Sequence, residues 1–241
     1  MKKLHPEKGL RIFDIKWEVK TAGPSPNDNK RIEVFLLGCK KAMSGNPCKG
    51  CFNSMTWDKS IAEWSRDPIE VADMIIERCD PDNKYITIGG GEPTDQLEYL
   101  IPLVKKLKEN GFHILMYTWR NLRNELIAKP LATFSDGTTN PKAFNRGIKD
   151  QLEEIMNYLD IIIDGEFIQE EKLWDPNDEE NSARNFIGSG NQIIWDVPYR
   201  CGHALRDIKS VSLIDDDDDE KDALYYQLNK NIEDCEIYYL I

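Results

Sequence analysis

Three of the six cysteines lie within one short stretch, and this clustering constrains the fold more than any other feature of the chain. The stretch is residues 38–58, GCKKAMSGNPCKGCFNSMTWD. Eight residues separate Cys39 from Cys48, and two separate Cys48 from Cys51. The apolar segment 31–37 that precedes it is typical of a buried strand. We therefore expect three thiols at the carboxyl end of a strand, where α/β proteins usually place their functional residues.

Three clustered thiols suit two kinds of metal site. A structural zinc ion takes four protein ligands, so it would need Cys79, Cys201 or Cys235 as the fourth. A cubane iron–sulfur cluster normally takes four thiolates, and three would leave one iron open to a substrate. His5 and His113 lack zinc-finger spacing to this loop, and an odd number of thiols does not pair fully into disulfides. The loop alone leaves both interpretations open.

A glycine-rich motif follows the next strand-like segment. Residues 85–93, YITIGGGEP, end in three glycines followed by Glu92 and Pro93. Glycines let a ligand approach the backbone closely and leave its N–H and C=O groups available. Glu92 adds a carboxylate that suits an ammonium group. This motif favours a cofactor site over a structural zinc ion.

A cysteine loop after the first strand and Gly-Gly-Glu-Pro after the second resemble the radical S-adenosylmethionine (SAM) superfamily. Within it, the chain resembles the activating proteins of anaerobic ribonucleoside-triphosphate reductases. The similar segments are 51–53 with 56–57 (CFN and TW), 160–167 (DIIIDGEF) and 188–195 (GSGNQIIW), in family order. Gly23 and Pro24, upstream of Arg31, resemble the lead-in of that family, lengthened by an insertion. The resemblance extends over about residues 14–195.

The resemblance implies a set of site residues. Cys39, Cys48 and Cys51 would hold a [4Fe–4S] cluster whose fourth iron binds the methionine half of SAM. Cofactor contacts are implied for Gly50, Phe52, Asn53, Gly90, Gly91, Glu92, Pro93 and Asp164. The family spacing is CxxxCxxC, so five extra residues are expected to form a solvated bulge here.

Asp164 and the aromatic residues Tyr117 and Trp119 each have two alternative roles. Asp164 is expected either to contact the SAM ribose or a cation, or to cap the turn that follows it. Tyr117 and Trp119 are expected either to line the adenosine pocket or to pack in the core or at its rim.

The implied function is activation of a glycyl-radical ribonucleotide reductase. Reductive cleavage of SAM would give a 5′-deoxyadenosyl radical, which would remove hydrogen from a glycine Cα of the partner. A one-electron donor such as a flavodoxin would be needed. Alternatives on the same fold are an activating enzyme of a different glycyl-radical enzyme and a 7-carboxy-7-deazaguanine synthase-like enzyme. A zinc-binding interaction module is the alternative from another class, and it leaves residues 89–93 unexplained.

Apolar segments alternate with amphipathic helical patterns, which indicates an α/β fold with a parallel sheet. About five or six strands favour a partial (βα)6-type TIM barrel of the radical SAM type, open on one side. Strands are predicted at 10–21, 31–37, 85–88, 112–118 and 159–163. Helices are predicted from residue 67 to about 79, at 95–110 and at 149–158.

The length of 241 residues predicts one domain with appendages. Residues 1–195 are expected to form the radical SAM domain, with an irregular insertion at about 120–148. Residues 196–241 are expected to form a C-terminal extension packed on it. The extension is predicted to contain an acidic loop at 215–220, a helix at 223–231 and an edge strand at 236–241. Cys201 with His203 is more typical of an incidental pair than of a metal site, and Cys79 is expected to be a small buried hydrophobe.

Composition narrows the location and the partners. Hydrophobic residues make up 40% of the chain and charged residues 31%, which is typical of a soluble globular protein. The sequence shows no bilayer-spanning apolar run and no signal peptide, so we expect a cytoplasmic protein whose thiols stay reduced. The net charge is −12 and no basic face is visible, so neither nucleic acid nor membrane is expected as a partner.

Overall fold

The computed structural model describes residues 3–20, 22–25, 30–126, 146–173, 188–204, 208–214, 225–230 and 237–239. The strands are β1 (Lys3–Leu4), β2 (Ile12–Val19), β3 (Arg31–Leu36), β4 (Ser65–Arg66), β5 (Tyr85–Gly90), β6 (His113–Thr118), β7 (Ile161–Asp164), β8 (Ile193–Asp196), β9 (Cys201–Ala204), β10 (Ile208–Ile214), β11 (Tyr225–Lys230) and β12 (Ile237–Tyr239). The α-helices are α1 (Lys40–Met43), α2 (Pro68–Arg78), α3 (Leu97–Glu109), α4 (Leu122–Leu126) and α5 (Arg146–Ile155).

The largest sheet in the described part of the chain has eight strands in the order β12-β9-β8-β7-β6-β5-β3-β2. Four adjacent strands, β7, β6, β5 and β3, are parallel. The outer strands β2, β8, β9 and β12 pair antiparallel with their neighbours. The predicted α/β class is therefore confirmed.

The prediction of a parallel sheet with five or six strands is wrong, because the sheet is mixed and larger. Only four residues, 197–200, connect β8 to β9. Such a short connection can join antiparallel strands only, since a parallel crossover needs a dozen residues or more.

Alternation along β3 gives the sheet two different faces. Ile32, Val34 and Leu36 are buried and belong to the main hydrophobic core. That core includes apolar side chains of α2, α3 and α5, so these helices cover one face. Glu33 and Phe35 point to the opposite face, where they line a cavity. The sheet thus separates the helix-packed core from the candidate site.

The start of α2 follows the prediction. Asp67 caps it, because its Oδ1 accepts hydrogen bonds from the N–H groups of Ile69 at 2.8 Å and Glu70 at 3.1 Å. Pro68 occupies the first turn, where a missing N–H is harmless. Cys79 follows the helix, is half-buried, and donates its thiol hydrogen to the carbonyl of Ile76 at 3.4 Å.

Arg31 anchors the segment that leads into β3. It is fully buried, and its Nη1 and Nη2 donate to the carbonyls of Pro24 and Ile86, both at 2.6 Å. Its Nε donates to Thr87 Oγ1 at 2.7 Å, and the Thr87 hydroxyl donates to the carbonyl of Ala22. A buried guanidinium is tolerated here because these groups satisfy it.

The middle of the chain differs in part from the predicted irregular segment 120–148. Leu122–Leu126 form the short helix α4, and α5 begins at Arg146, before the predicted residue 149. Residues 127–145, which contain most of the predicted insertion, lie outside the described residues.

The helix predicted at 223–231 is wrong, because Tyr225–Lys230 form strand β11. This strand pairs antiparallel with β10 along its length. Neighbouring tyrosines favour strands, and pairing with an apolar partner outweighs a weak helical pattern. The edge strand predicted at 236–241 is confirmed as β12, whereas the acidic run 215–220 lies outside the described residues.

In the part of the chain that the structure describes, no helix is both long and apolar enough to cross a bilayer.

Candidate functional site

A cavity of about 440 Å³ opens at the carboxyl ends of β3, β5 and β6. This volume falls in the range of small-molecule sites, about 300–1,000 Å³. Cys39, Cys48 and Cys51 all line it. The strand ends and following loops contribute Gly89, Gly90, Gly91, Glu92, Pro93, Tyr117, Thr118, Trp119, Gly165 and Phe167. The two sequence motifs, separate along the chain, therefore meet at one cavity.

The position of Cys39 is set by residues far along the cysteine loop. The N–H of Gly38 donates to the carbonyl of Thr56 at 2.7 Å, and the N–H of Cys39 donates to the carbonyl of Trp57 at 2.9 Å. The extra residues after Cys39 form α1 and an exposed turn. Cys39 is thus held by backbone hydrogen bonds to the far end of the loop.

The three thiols differ in burial. Cys39 is buried, Cys48 and Cys51 are half-buried, and all three are free. Burial raises the pKa of the Cys39 thiol to about 11, and the backbone N–H of Ala42 only partly opposes this. Burial also raises the pKa of Cys48. Without a metal, the Cys39 and Cys48 thiols are protonated at neutral pH, so metal binding to them would release protons.

The residues available as ligands bear on the two metal interpretations. Among the described residues, no three His, Cys, Asp or Glu side chains are placed to hold one metal ion. A zinc ion with Zn–S bonds of about 2.3 Å would draw its sulfur ligands to within about 4 Å of each other. Cys39, Cys48 and Cys51 line the cavity, whereas neither Cys79 nor Cys201, each considered as a fourth zinc ligand, is among its described lining residues. Three thiols without a fourth protein ligand suit an iron–sulfur cluster with one open iron. The residues present therefore fit a cluster better than a zinc ion.

The glycines at 89–91 have two different roles. At Gly90, with φ of 95°, an added Cβ would lie 2.5 Å from the backbone nitrogen of Leu36. At Gly91 an added Cβ would collide with the carbonyl oxygen of Gly38. These two glycines allow the ends of β3 and β5 to approach each other.

Gly89 is different, and sequence reasoning did not include it among the site residues. An added Cβ there would meet Tyr117 at 3.8 Å, an ordinary contact, and Gly89 lines the cavity. Its missing side chain therefore leaves space for a ligand. Strand alternation was the available signal, because Gly89 follows Thr87 on the face opposite the buried Ile86 and Ile88.

Glu92 joins the ends of two strands. It is 1% exposed, and its Oε1 accepts hydrogen bonds from the Thr94 N–H (3.0 Å), the Thr94 hydroxyl (2.5 Å) and the Thr118 hydroxyl (2.7 Å). Its Oε2 accepts from the N–H of Trp119 at 3.1 Å. Burial raises the pKa of Glu92, and these donors oppose the rise. A carboxylate offers about four acceptor sites, so the chain itself uses most of this capacity.

Asp164 lies at the end of β7 and is 1% exposed. Its Oδ2 accepts a hydrogen bond at 2.7 Å from the N–H of Leu122, the first residue of α4. Burial raises the pKa of Asp164 to about 6. Gly165, and not Asp164, is among the described residues that line the cavity. This arrangement favours a capping role, although the capped element is α4 and not the turn after β7.

Most of the other predicted cofactor contacts lie at the cavity. The structure brings together Phe52, Asn53, Gly90, Gly91, Glu92 and Pro93 in its lining. Gly50 is outside the lining, with φ of 76°, and an added Cβ there would collide with the side chain of Gln169. Tyr117 and Trp119 are half-buried and line the cavity.

The cysteine loop is fastened to the loop that follows β7. Lys41 Nζ lies 2.9 Å from Glu166 Oε1, and Lys49 Nζ lies 2.5 Å from Glu170 Oε1. These ion pairs flank an aromatic contact in which the Phe52 and Phe167 ring centroids are 4.8 Å apart. The two loops therefore form one rim of the cavity.

The segment 188–192 also stabilises this rim of the cavity, through hydrogen bonds to the loop after β7. Gln192 Nε2 donates to the carbonyl of Gly165 at 2.9 Å, and Asn191 Nδ2 donates to that of Glu166 at 2.8 Å. Gln192 Oε1 accepts from the N–H of Ser189 at 2.9 Å. The side-chain amides of Asn191 and Gln192 thus hold the loop after β7 in place, and Gln192 also lines the cavity.

The chain is similar to one known protein family and to curated activating proteins. Residues 28–195 match the family described as "4Fe-4S single cluster domain". The anaerobic ribonucleoside-triphosphate reductase-activating protein of Haemophilus influenzae is 27% identical over 175 residues, covering 69% of this chain and 88% of that protein. Its counterpart of Vibrio cholerae is 25% identical over 169 residues, covering 68% and 86%. The pyruvate formate-lyase-activating enzyme of Staphylococcus aureus is 29% identical over 151 residues, covering 60% of this chain but 49% of that enzyme.

Proposed function

Because the chain belongs to the 4Fe-4S single cluster domain family, we propose that it is a SAM-dependent enzyme that installs a glycyl radical on an anaerobic ribonucleotide reductase. Two relatives that it covers over most of their length are named as activating proteins of such reductases. The observation that carries the proposal is the meeting of three free thiols and the glycine-rich end of β5 at one cavity.

In this proposal Cys39, Cys48 and Cys51 hold a [4Fe–4S] cluster and leave one iron open to SAM. When bound, the cluster and SAM supply one-electron cleavage of the S–C5′ bond to methionine and a 5′-deoxyadenosyl radical, which takes a hydrogen atom from a glycine Cα of the partner. The electron comes from a one-electron donor, for which a flavodoxin is suitable.

The chain's own contribution is binding, orientation and exclusion of water. The backbone at Gly89 is accessible from the cavity. Glu92 accepts hydrogen bonds from Thr118 and Trp119 and so joins the end of β5 to the end of β6. Aromatic side chains of Phe35, Phe52 and Phe167 line the cavity and give it an apolar wall. Such a wall protects a reactive radical from side reactions.

The proposed architecture is a partial (βα)-type barrel of the radical SAM type. Four parallel strands covered by helices on one face support it. We further propose residues 1–195 as the radical SAM domain and residues 196–241 as an extension. Strands β9 and β12 then belong to the extension and lengthen the same sheet at its edge.

Anaerobic reconstitution with iron and sulfide tests the proposal. Cys39→Ala, Cys48→Ala and Cys51→Ala should each lose the brown colour, the EPR signal of the reduced cluster and the cleavage of SAM to 5′-deoxyadenosine. Cys79→Ala is the control and should retain all three, since its thiol bonds to its own helix. Retention of SAM cleavage by Cys48→Ala would refute the assignment.

A second candidate is activation of a different glycyl-radical enzyme. The relative from Staphylococcus aureus, named as an activating enzyme of pyruvate formate-lyase, favours it. The chain covers only 49% of that enzyme, so the reductase remains the better-supported partner. Incubating the reduced enzyme and SAM with each partner, and recording the glycyl radical by EPR, separates the two.

A further inference from the structure

One tryptophan of the cysteine loop contacts both the first and the last of its cysteines. The indole Nε1–H of Trp57 donates to the Sγ of Cys51 at 3.4 Å. The backbone carbonyl of Trp57 accepts the N–H of Cys39 at 2.9 Å. The indole also lines the cavity that the three thiols border.

The turn before Trp57 holds the indole in this position. Ser54–Thr56 form a single 3-10 turn, and the N–H of Trp57 donates to the carbonyl of Ser54 at 3.3 Å. Thr56 is fully buried, and its hydroxyl donates to the carbonyl of Asn53 at 2.7 Å. The Thr56 carbonyl in turn accepts the N–H of Gly38. The contact to Cys51 is therefore supported by backbone bonds on both sides.

We propose that Trp57 is a positioning residue that raises the reduction potential of the cluster by donating its indole N–H to the Cys51 sulfur. This inference rests on the proposed function, since it requires a cluster on Cys39, Cys48 and Cys51. A donor stabilises negative charge on a thiolate sulfur. The reduced cluster carries one more negative charge than the oxidised one, so the donor favours reduction.

The two contacts of Trp57 can be separated by substitution. Trp57→Phe removes the indole N–H but keeps an aromatic side chain and the carbonyl that holds Cys39. Trp64→Phe is the matched control, because the Trp64 ring lies over Arg66 and near Lys3, away from the cysteines. Neither change alters a cysteine.

The experiment is a redox titration of the reconstituted proteins, followed by EPR, with iron and sulfide measured alongside. We expect both variants to bind iron and sulfide like the unmodified protein. The midpoint potential of Trp57→Phe should shift to a more negative value, and that of Trp64→Phe should not shift. An unchanged potential in fully loaded Trp57→Phe would overturn the inference.

A second measurement applies if Trp57→Phe does not load a cluster. The unmodified protein, grown with 15N-indole tryptophan and reduced, should show 15N and exchangeable-proton couplings to the cluster by ENDOR spectroscopy, and Trp64→Phe should retain them. Absence of these couplings overturns the inference while leaving the proposed function in place. Failure of the unmodified protein to assemble any cluster overturns the proposed function and, with it, the role of Trp57.

Discussion

At the scale of single residues, adding one methyl group at Gly91 or at Gly89 should change different properties of the protein. At Gly91 the new Cβ meets the backbone oxygen of Gly38, which cannot move without separating β3 from β5. We expect Gly91→Ala to lower the free energy of unfolding by about 1–3 kcal/mol, as overpacking usually does. Thermal and denaturant unfolding of the metal-free proteins measures this.

Gly89→Ala should leave the fold intact, because its Cβ makes only an ordinary contact with Tyr117. The methyl group would instead occupy cavity space, so the affinity of the reconstituted enzyme for SAM should fall. Equilibrium binding of SAM measures the loss. Equal stability losses in the two glycine variants would contradict the distinction between their roles.

At the scale of structural elements, two ion pairs join the cysteine loop to the loop after β7 but should contribute unequally. The side chain of Lys41 is 8% exposed, and it also donates to the carbonyl of Asn46 at 2.7 Å. The side chain of Lys49 is 78% exposed. Lys41→Met should cost about 1–2 kcal/mol, because partly buried charged hydrogen bonds are lost. Lys49→Met should leave the free energy of unfolding close to that of the unmodified protein, because exposed ion pairs contribute little.

Hydrogen exchange over residues 40–51 measures this difference directly. Lys41→Met should accelerate exchange in α1 and the following turn, whereas Lys49→Met should leave it close to that of the unmodified protein. Equal protection in both variants would mean that the aromatic contact of Phe52 with Phe167, and not Lys41, holds the loops together.

At the scale of the whole molecule, Glu33 should make global stability depend on pH. It projects from β3 into the cavity, and burial raises its pKa from 4.5 to about 7, opposed by Lys16. Between these values the folded state keeps a proton that the unfolded state releases. Stability should therefore fall as pH rises from about 4.5 to 7, and Glu33→Gln should reduce that fall.

The gain for Glu33→Gln at pH 8 should be at most about 2 kcal/mol, allowing for partial solvent screening of this half-buried group. Melting temperatures at pH 5 and pH 8 measure it, with the exposed Glu63→Gln as control. Asp164 and Asp196, whose pKa values burial raises to about 6, contribute equally to both variants and cancel in the comparison.

The end of the chain should be required for the stability of the sheet. Trp195 on β8 is fully buried, and Gly202 on β9 packs so closely on its ring that an added Cβ would lie 2.5 Å away. A chain truncated after Asp196 loses this cover, so we expect aggregation and red-shifted tryptophan fluorescence. A chain truncated after Ala204 keeps β9 and should be more soluble. Equal solubility would show that β9 is dispensable.

Much of the site was predictable because its chemistry depends on residue type and local spacing. Three cysteines within one loop limit the ligands that can bind there. The segment 85–93, YITIGGGEP, is typical of a buried strand that ends in accessible glycine backbone. Strands β3, β5, β6 and β7 and helices α2, α3 and α5 were predictable for a similar reason. Their alternating and helical patterns reflect burial on one face, which is a local property of the sequence.

The tertiary structure decided what depends on partners distant in the chain. The sequence predicted that the Glu92 carboxylate suits an ammonium group, and only the structure shows that Thr94, Thr118 and Trp119 donate hydrogen bonds to it. Tyr225–Lys230 became a strand because β10 pairs with it. Local sequence carries the chemical identity of a group, whereas its hydrogen-bond partners and its strand neighbours are known only when the backbone brings separate segments together.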